Sequence, residues 1–215
     1  MAEDRYDVGD ALPVEAGFEP GTNILLSGSA GSGKASLGAR ILGERDDNEG
    51  ALLITTDGNT SEMLDSYREA DTGEAPHFVD CSGARTGPPP DVPPEMFETA
   101  GSPADMTGVG VAFEKYSKSL ADRTERSRVM YDSLTTLLQY VDEQTAYRFV
   151  DVLTGRFTAQ GYLSVFTVDP DAVGERASRM LAHEFDAEVR LRVEGGAREL
   201  SVRGSSDVSS DWVRT

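Results

Sequence analysis

The chain is short of cysteine, lysine, histidine and long apolar runs, and each shortage excludes something. One cysteine, Cys81, in 215 residues leaves no internal disulfide and no cysteine zinc site. The two histidines, His77 and His183, are too far apart to suggest a metal pair. No stretch approaches the roughly 18 continuous apolar residues of a membrane helix, so no membrane insertion is expected. The first residues are acidic where a signal peptide would be basic and then apolar, so a cytoplasmic location is expected. Only three lysines occur (Lys34, Lys115 and Lys118), and with 38 acidic against 20 basic residues the formal net charge is −18. Non-specific nucleic-acid binding needs clustered Lys and Arg to displace counterions, so composition argues against a nucleic-acid partner. Acid-rich, lysine-poor surfaces stay hydrated in concentrated salt, which points to a halophilic cell.

What the chain does have is a glycine-rich loop: Gly28, Ser29, Ala30, Gly31, Ser32, Gly33, Lys34, Ala35 and Ser36. Gly28, Gly33 and Lys34 fit the phosphate-binding pattern. Residues 23–27 form an apolar run suited to a buried strand, and a helix opens over 36–42. Strand, loop, helix is the context that separates this motif from a chance Gly/Ser turn. In such a loop, backbone N–H groups turn inward around phosphate oxygens and the helix N-terminus faces them. Lys34 adds a cation for the outer phosphates. One position departs: Ala35 stands where a hydroxyl normally ligates magnesium. Water can fill that vacancy, because magnesium usually keeps several waters, and Ser36 follows to meet an inner phosphate. The loop therefore predicts nucleotide binding with weak or absent hydrolysis.

Strand and helix signals alternate along the rest of the chain. Strands are expected over 51–56, 77–80, 128–132 and 163–168, and helices over 59–70, 133–140, 142–160 and 172–183. Asn59 with Glu62 three residues on makes a capping box. Residues 82–103 carry six prolines and are expected to be loop. Ser102 as cap and Pro103 at the first helical position open a helix reaching about 123. Strands over 188–193 and 198–202 are joined by Glu194-Gly195-Gly196-Ala197, a hairpin signal. The expected fold is α/β, a mostly parallel sheet flanked by helices, with a C-terminal antiparallel hairpin. It divides into an N-terminal segment over 1–17, one domain over 18–205 and a polar tail over 206–215, in which Trp212 docks locally.

Asp132 closes its strand about a hundred residues after the loop, where a Walker B carboxylate would hold magnesium, so it is the metal candidate. At this point the chain resembles the RecA-superfamily ATPases of the KaiC and archaeal RadA type. Gly21–Gly28 is similar to that family's approach to its phosphate loop, and Tyr131-Asp132-Ser133-Leu134-Thr135 to its Walker B strand. Arg198–Gly204 looks like its last strand, and Gly101–Gly110 resembles a signature of small haloarchaeal members. The resemblance implies a RecA-like P-loop fold with ATP and Mg2+ as ligands. It also implies that Asp57 stands where glutamates activate water, one methylene shorter than usual, and that Arg203 reaches a neighbouring subunit's phosphates. Ser201 replaces the lysine that accompanies that arginine, which leaves a hexamer, dimer or monomer open. Three functions stay open: a nucleotide-dependent regulatory switch, a nucleotide-free scaffold binding a protein partner through the 82–103 loop, and a DNA-recombination accessory protein.

Overall fold

Apolar runs punctuated by glycine and aspartate build a central sheet. The computed structural model describes residues 5–70, 75–84, 87–121, 123–204 and 211–215. These contain strands β1 (Asn23–Ser27), β2 (Glu49–Thr55), β3 (His77–Asp80), β4 (Phe97–Thr99), β5 (Arg126–Asp132), β6 (Leu163–Val168), β7 (Ala187–Glu194), β8 (Ala197–Arg203) and β9 (Val213–Arg214). They form one sheet in the order β4-β3-β2-β5-β6-β1-β7-β8-β9. All pairs from β4 to β7 are parallel, and β8 and β9 add an antiparallel edge. The α/β fold with its C-terminal hairpin is thus as the sequence predicts. Gly195 (φ 59°) and Gly196 (φ 82°) turn that hairpin, the two positive φ values of a type I′ turn.

Successive strand residues face opposite sides, so the sheet builds two cores. Ile24, Leu26, Leu53 and Val165 pack with Leu37 and Ile41 of α1 (Lys34–Gly43) and Met63 and Tyr67 of α2 (Thr60–Ala70). Leu25, Ile54, Val129 and Phe166 pack on the other side with α3 (Met106–Ala121), α4 (Leu134–Tyr140) and α5 (Glu143–Ala159). The first core also takes in Tyr6, Val8 and Leu12 from the N-terminal segment. Tyr6 donates its hydroxyl to Ser127 O (3.0 Å) and Gly161 O (2.9 Å), and burial raises its pKa to about 12.

Three expectations need amendment. The 82–103 loop contains β4, which pairs with β3 from Phe78↔Phe97 to Asp80↔Thr99. Its neighbouring prolines disguise it, yet proline is tolerated at a sheet edge. Helix α3 starts at Met106, not at Pro103. Ser102 Oγ takes only the Ala104 N–H, while the Asp105 carboxylate accepts Gly108 N–H (2.8 Å) and Gly101 N–H (3.0 Å). Those bonds hold the Asp105 carboxyl below its ordinary pKa. Asp105→Ala is therefore expected to cost about 1 kcal/mol in urea unfolding, the usual loss for an N-cap. The helix expected over 172–183 is two, α6 (Pro170–Val173) and α7 (Glu175–Ala182), broken at Gly174 with φ 82°. In the tail, Val213 pairs with Leu200, and the Arg192 guanidinium lies 4.0 Å from the Trp212 ring centre.

Candidate functional site

The phosphate loop lies between β1 and α1, at the carboxyl end of the parallel strands. Gly31 (φ 76°) and Gly33 (φ 84°) supply the left-handed turns that other residues resist. A Cβ on Gly28 would come within 2.7 Å of Ser32 Oγ and 2.9 Å of Leu191 O, so only glycine fits there. Gly33 caps α1 with no side-chain hydrogen bond, which leaves the first backbone N–H groups of that helix available to an anion. Lys34 Nζ donates to Ser29 O at 3.2 Å, folded over its own loop. Ser32 Oγ is buried without a partner among the described residues.

The acidic side of the site comes from β5 and β2. Asp132 is 2% exposed, its Oδ1 accepts the Thr167 hydroxyl from the neighbouring β6, and its Oδ2 is buried without a partner among the described residues. Burial first, then the carboxylates of Asp57 and Glu62, raise the Asp132 pKa to about 6 against the opposing pull of Thr167 and Lys34. The Thr56 hydroxyl steadies the next peptide, donating to Ser133 O (3.1 Å) and accepting Ser133 N–H (2.8 Å). Asp57 is exposed, and its Oδ1 accepts Thr55 Oγ1 (3.1 Å) and Asn59 N–H (3.3 Å), so this carboxylate shapes the turn into α2.

One cavity of about 540 Å³ gathers Ala30, Gly31, Gly33, Lys34, Ala35 and Ser36 with Asp57 and Asp132, within the usual range for ligand pockets. Glu62, Thr135, Thr136, Asp169 and Arg198 line it as well. Of these, Glu62, Asp169 and Arg198 are charged, and local sequence reads Glu62 and Arg198 only as a cap residue and a strand start. Gly28 and Ser29 instead face a larger cavity of about 890 Å³ lined by Arg190, Arg192, Arg203 and Trp212. Arg203 thus lies apart from Lys34 and Asp132 within the chain. Ala35 offers a magnesium ion no oxygen, but the vacant Asp132 Oδ2 does, directly or through water. No group of three metal-ligating side chains occurs among the described residues. A magnesium ion therefore fits only with phosphate oxygens completing its shell.

Residues 21–191 match a family described as a family of unknown function (DUF7504). Comparison with curated proteins finds no match. Among solved structures, a KaiC-like protein from the hyperthermophilic archaeon Pyrococcus horikoshii OT3 is similar, with a TM-score of 0.62 and 14% identity over 94% of this chain and 87% of that one. At that identity the likeness shows the fold, which is the KaiC-like RecA fold.

Proposed function

The chain belongs to that family of unknown function (DUF7504), and from this premise we propose that it is an ATP-binding regulatory protein that hydrolyses its nucleotide weakly or not at all. The observation that carries the reading is one cavity joining Lys34, the uncapped start of α1 and the vacant Oδ2 of Asp132. Backbone N–H groups of Gly31 to Ala35 and the Lys34 ammonium bind the phosphates. Magnesium, when bound with the nucleotide, neutralises phosphate charge, and Asp132 holds it with Ser36 nearby. Asp57 is a poor base because its oxygen already serves the turn, and general-base geometry is demanding. Ligand binding then shifts a conformational or assembly equilibrium by preferring one state. Arg203, set apart from the cavity in its own chain, is the residue offered to a neighbouring copy, and self-association or a protein partner reads the switch. Cytoplasmic location in a salt-accumulating cell fits the acidic composition.

Calorimetric titration of ATP, with and without Mg2+, in multimolar KCl tests this. Saturable binding is expected, weakened about 10- to 100-fold by Lys34→Ala, the range for charge-assisted phosphate bonds. Phosphate release should be slow. A folded protein that binds no ATP would overturn the proposal and leave the scaffold reading through the 82–103 loop.

A further inference from the structure

We infer that Arg198 is a phosphate-contacting residue that the β7–β8 hairpin supplies in cis, completing the nucleotide site within one chain. The inference rests on the nucleotide reading above and adds to it a residue from the same chain.

The argument starts from strand lengths. β7 runs parallel to β1 only as far as Ser27↔Arg190. There β1 ends and the phosphate loop begins, but β7 continues to Glu194 before the Gly195–Gly196 turn. The hairpin therefore overhangs the loop by about four residues, roughly 13 Å at strand rise. β8 returns along it, and Arg198 lies opposite Val193, inside the overhang. Arg198 alternates in phase with Leu200 and Val202, which are buried in the same core as Leu37 and Ile41 of α1. Its side chain consequently descends on the α1 side, onto the N-cap of that helix. The guanidinium rests against Gly33: a Cβ built there would lie 2.5 Å from Arg198 Cζ. Glycine at position 33 thus meets two requirements, a positive φ and room for this arginine.

Charge supplies the second strand of the argument. Arg5, Arg68, Arg126, Arg128, Arg179, Arg192 and Arg214 all pair with carboxylates. Arg198, like Arg40, Arg148, Arg156, Arg176, Arg190 and Arg203, forms no ion pair or side-chain hydrogen bond among the described residues, but of these it is the one that lines the cavity of Lys34 and Asp132. A guanidinium left unpaired beside Lys34 and the open N-terminus of α1 presents a planar donor fork to phosphate oxygens, the geometry arginine suits best. Because the residue belongs to the same chain as the loop, its own contact with phosphate needs no second copy.

Calorimetry with three probes tests the inference: ATP, inorganic tripolyphosphate and adenosine, on wild type, Arg198→Ala, Arg198→Lys and Lys34→Ala. Arg198→Ala should weaken ATP and tripolyphosphate by about tenfold or more and leave adenosine unchanged, with Arg198→Lys recovering part of the loss. Arg198 is exposed, so the variants should keep the wild-type circular dichroism and melting temperature. If Arg198→Ala binds ATP and tripolyphosphate as wild type does while Lys34→Ala loses them, the inference fails and the nucleotide reading stands. Equal weakening for adenosine would also overturn it, assigning Arg198 to the base or to packing. If folded wild type binds neither phosphate probe, the nucleotide reading itself fails and takes this inference with it.

Discussion

Glu49→Ala is expected to lower the unfolding free energy by about 3–5 kcal/mol, the range for stripping one partner from a buried ion pair. Glu49 and Arg128 are each 1% exposed, and Arg128 Nε donates to Glu49 Oε2 at 2.6 Å. Arg126 Nη2 approaches the other oxygen at 2.7 Å, Arg128 Nη1 donates to Ile41 O at 2.7 Å, and both guanidinium groups lie over the Tyr6 ring. Removing the carboxylate leaves the Arg128 charge enclosed between β2, β5 and α1 with one backbone carbonyl and an aromatic face. At this chain length the loss corresponds to a fall of roughly 6–20 °C in melting temperature. Urea unfolding at constant KCl checks the value. The double variant Glu49→Leu/Arg128→Leu should recover most of the loss, since replacing both charges removes the desolvation penalty along with the attraction. A loss below about 1 kcal/mol for Glu49→Ala would show that water or Arg126 rearrangement compensates the charge.

The parts legible in the sequence are those whose causes are local. β1, β3 and β6 begin and end where their apolar runs do, because a strand buried on both faces of a parallel sheet needs no alternation and stops at its turn residues. The phosphate loop is legible for the same reason, since glycine and lysine at fixed offsets carry the geometry themselves. The parts that escaped depend on distant partners. Three residues of β4 become a strand only because β3 offers an edge, and Tyr6, Val8 and Leu12 are too sparse to make a pattern before the sheet exists to cover. Glu62 reaches the cavity through the first turn of α2, and Arg198 through the unequal lengths of β1 and β7. Arg203, singled out by resemblance, lines a different cavity in its own chain from the one that gathers Lys34 and Asp132.

Asp132→Asn should act on stability in the opposite direction to Glu49→Ala. A folded-state pKa of about 6 against an ordinary 3.8 means that folding disfavours the carboxylate. The gap corresponds to about 3 kcal/mol. In the wild type this group's contribution is most favourable below about pH 4, where the acid is neutral in both states. It is lost as pH rises through about 6, because between those values the native state binds the proton that the unfolded chain has released. Above pH 6 the folded protein carries the full cost of a buried charge whose Oδ2 has no partner among the described residues. An isosteric neutral amide avoids that cost and still offers an oxygen to Thr167. The ligand-free variant is therefore expected to be more stable than wild type by up to about 3 kcal/mol at pH 7.5, with the difference vanishing below about pH 4. Subtracting the two pH profiles cancels the remaining carboxylates, which matters in a chain of net charge −18. Adding ATP and Mg2+ should narrow that difference, since ligand at a hundred times its dissociation constant adds about 2.7 kcal/mol to a protein that binds it. The amide has no charge to offer the ion and gains less. Equal stability of the two ligand-free proteins at pH 7.5 would mean that the buried carboxylate is already neutralised in the fold. A full magnesium-dependent gain in the variant would remove Asp132 from the metal site.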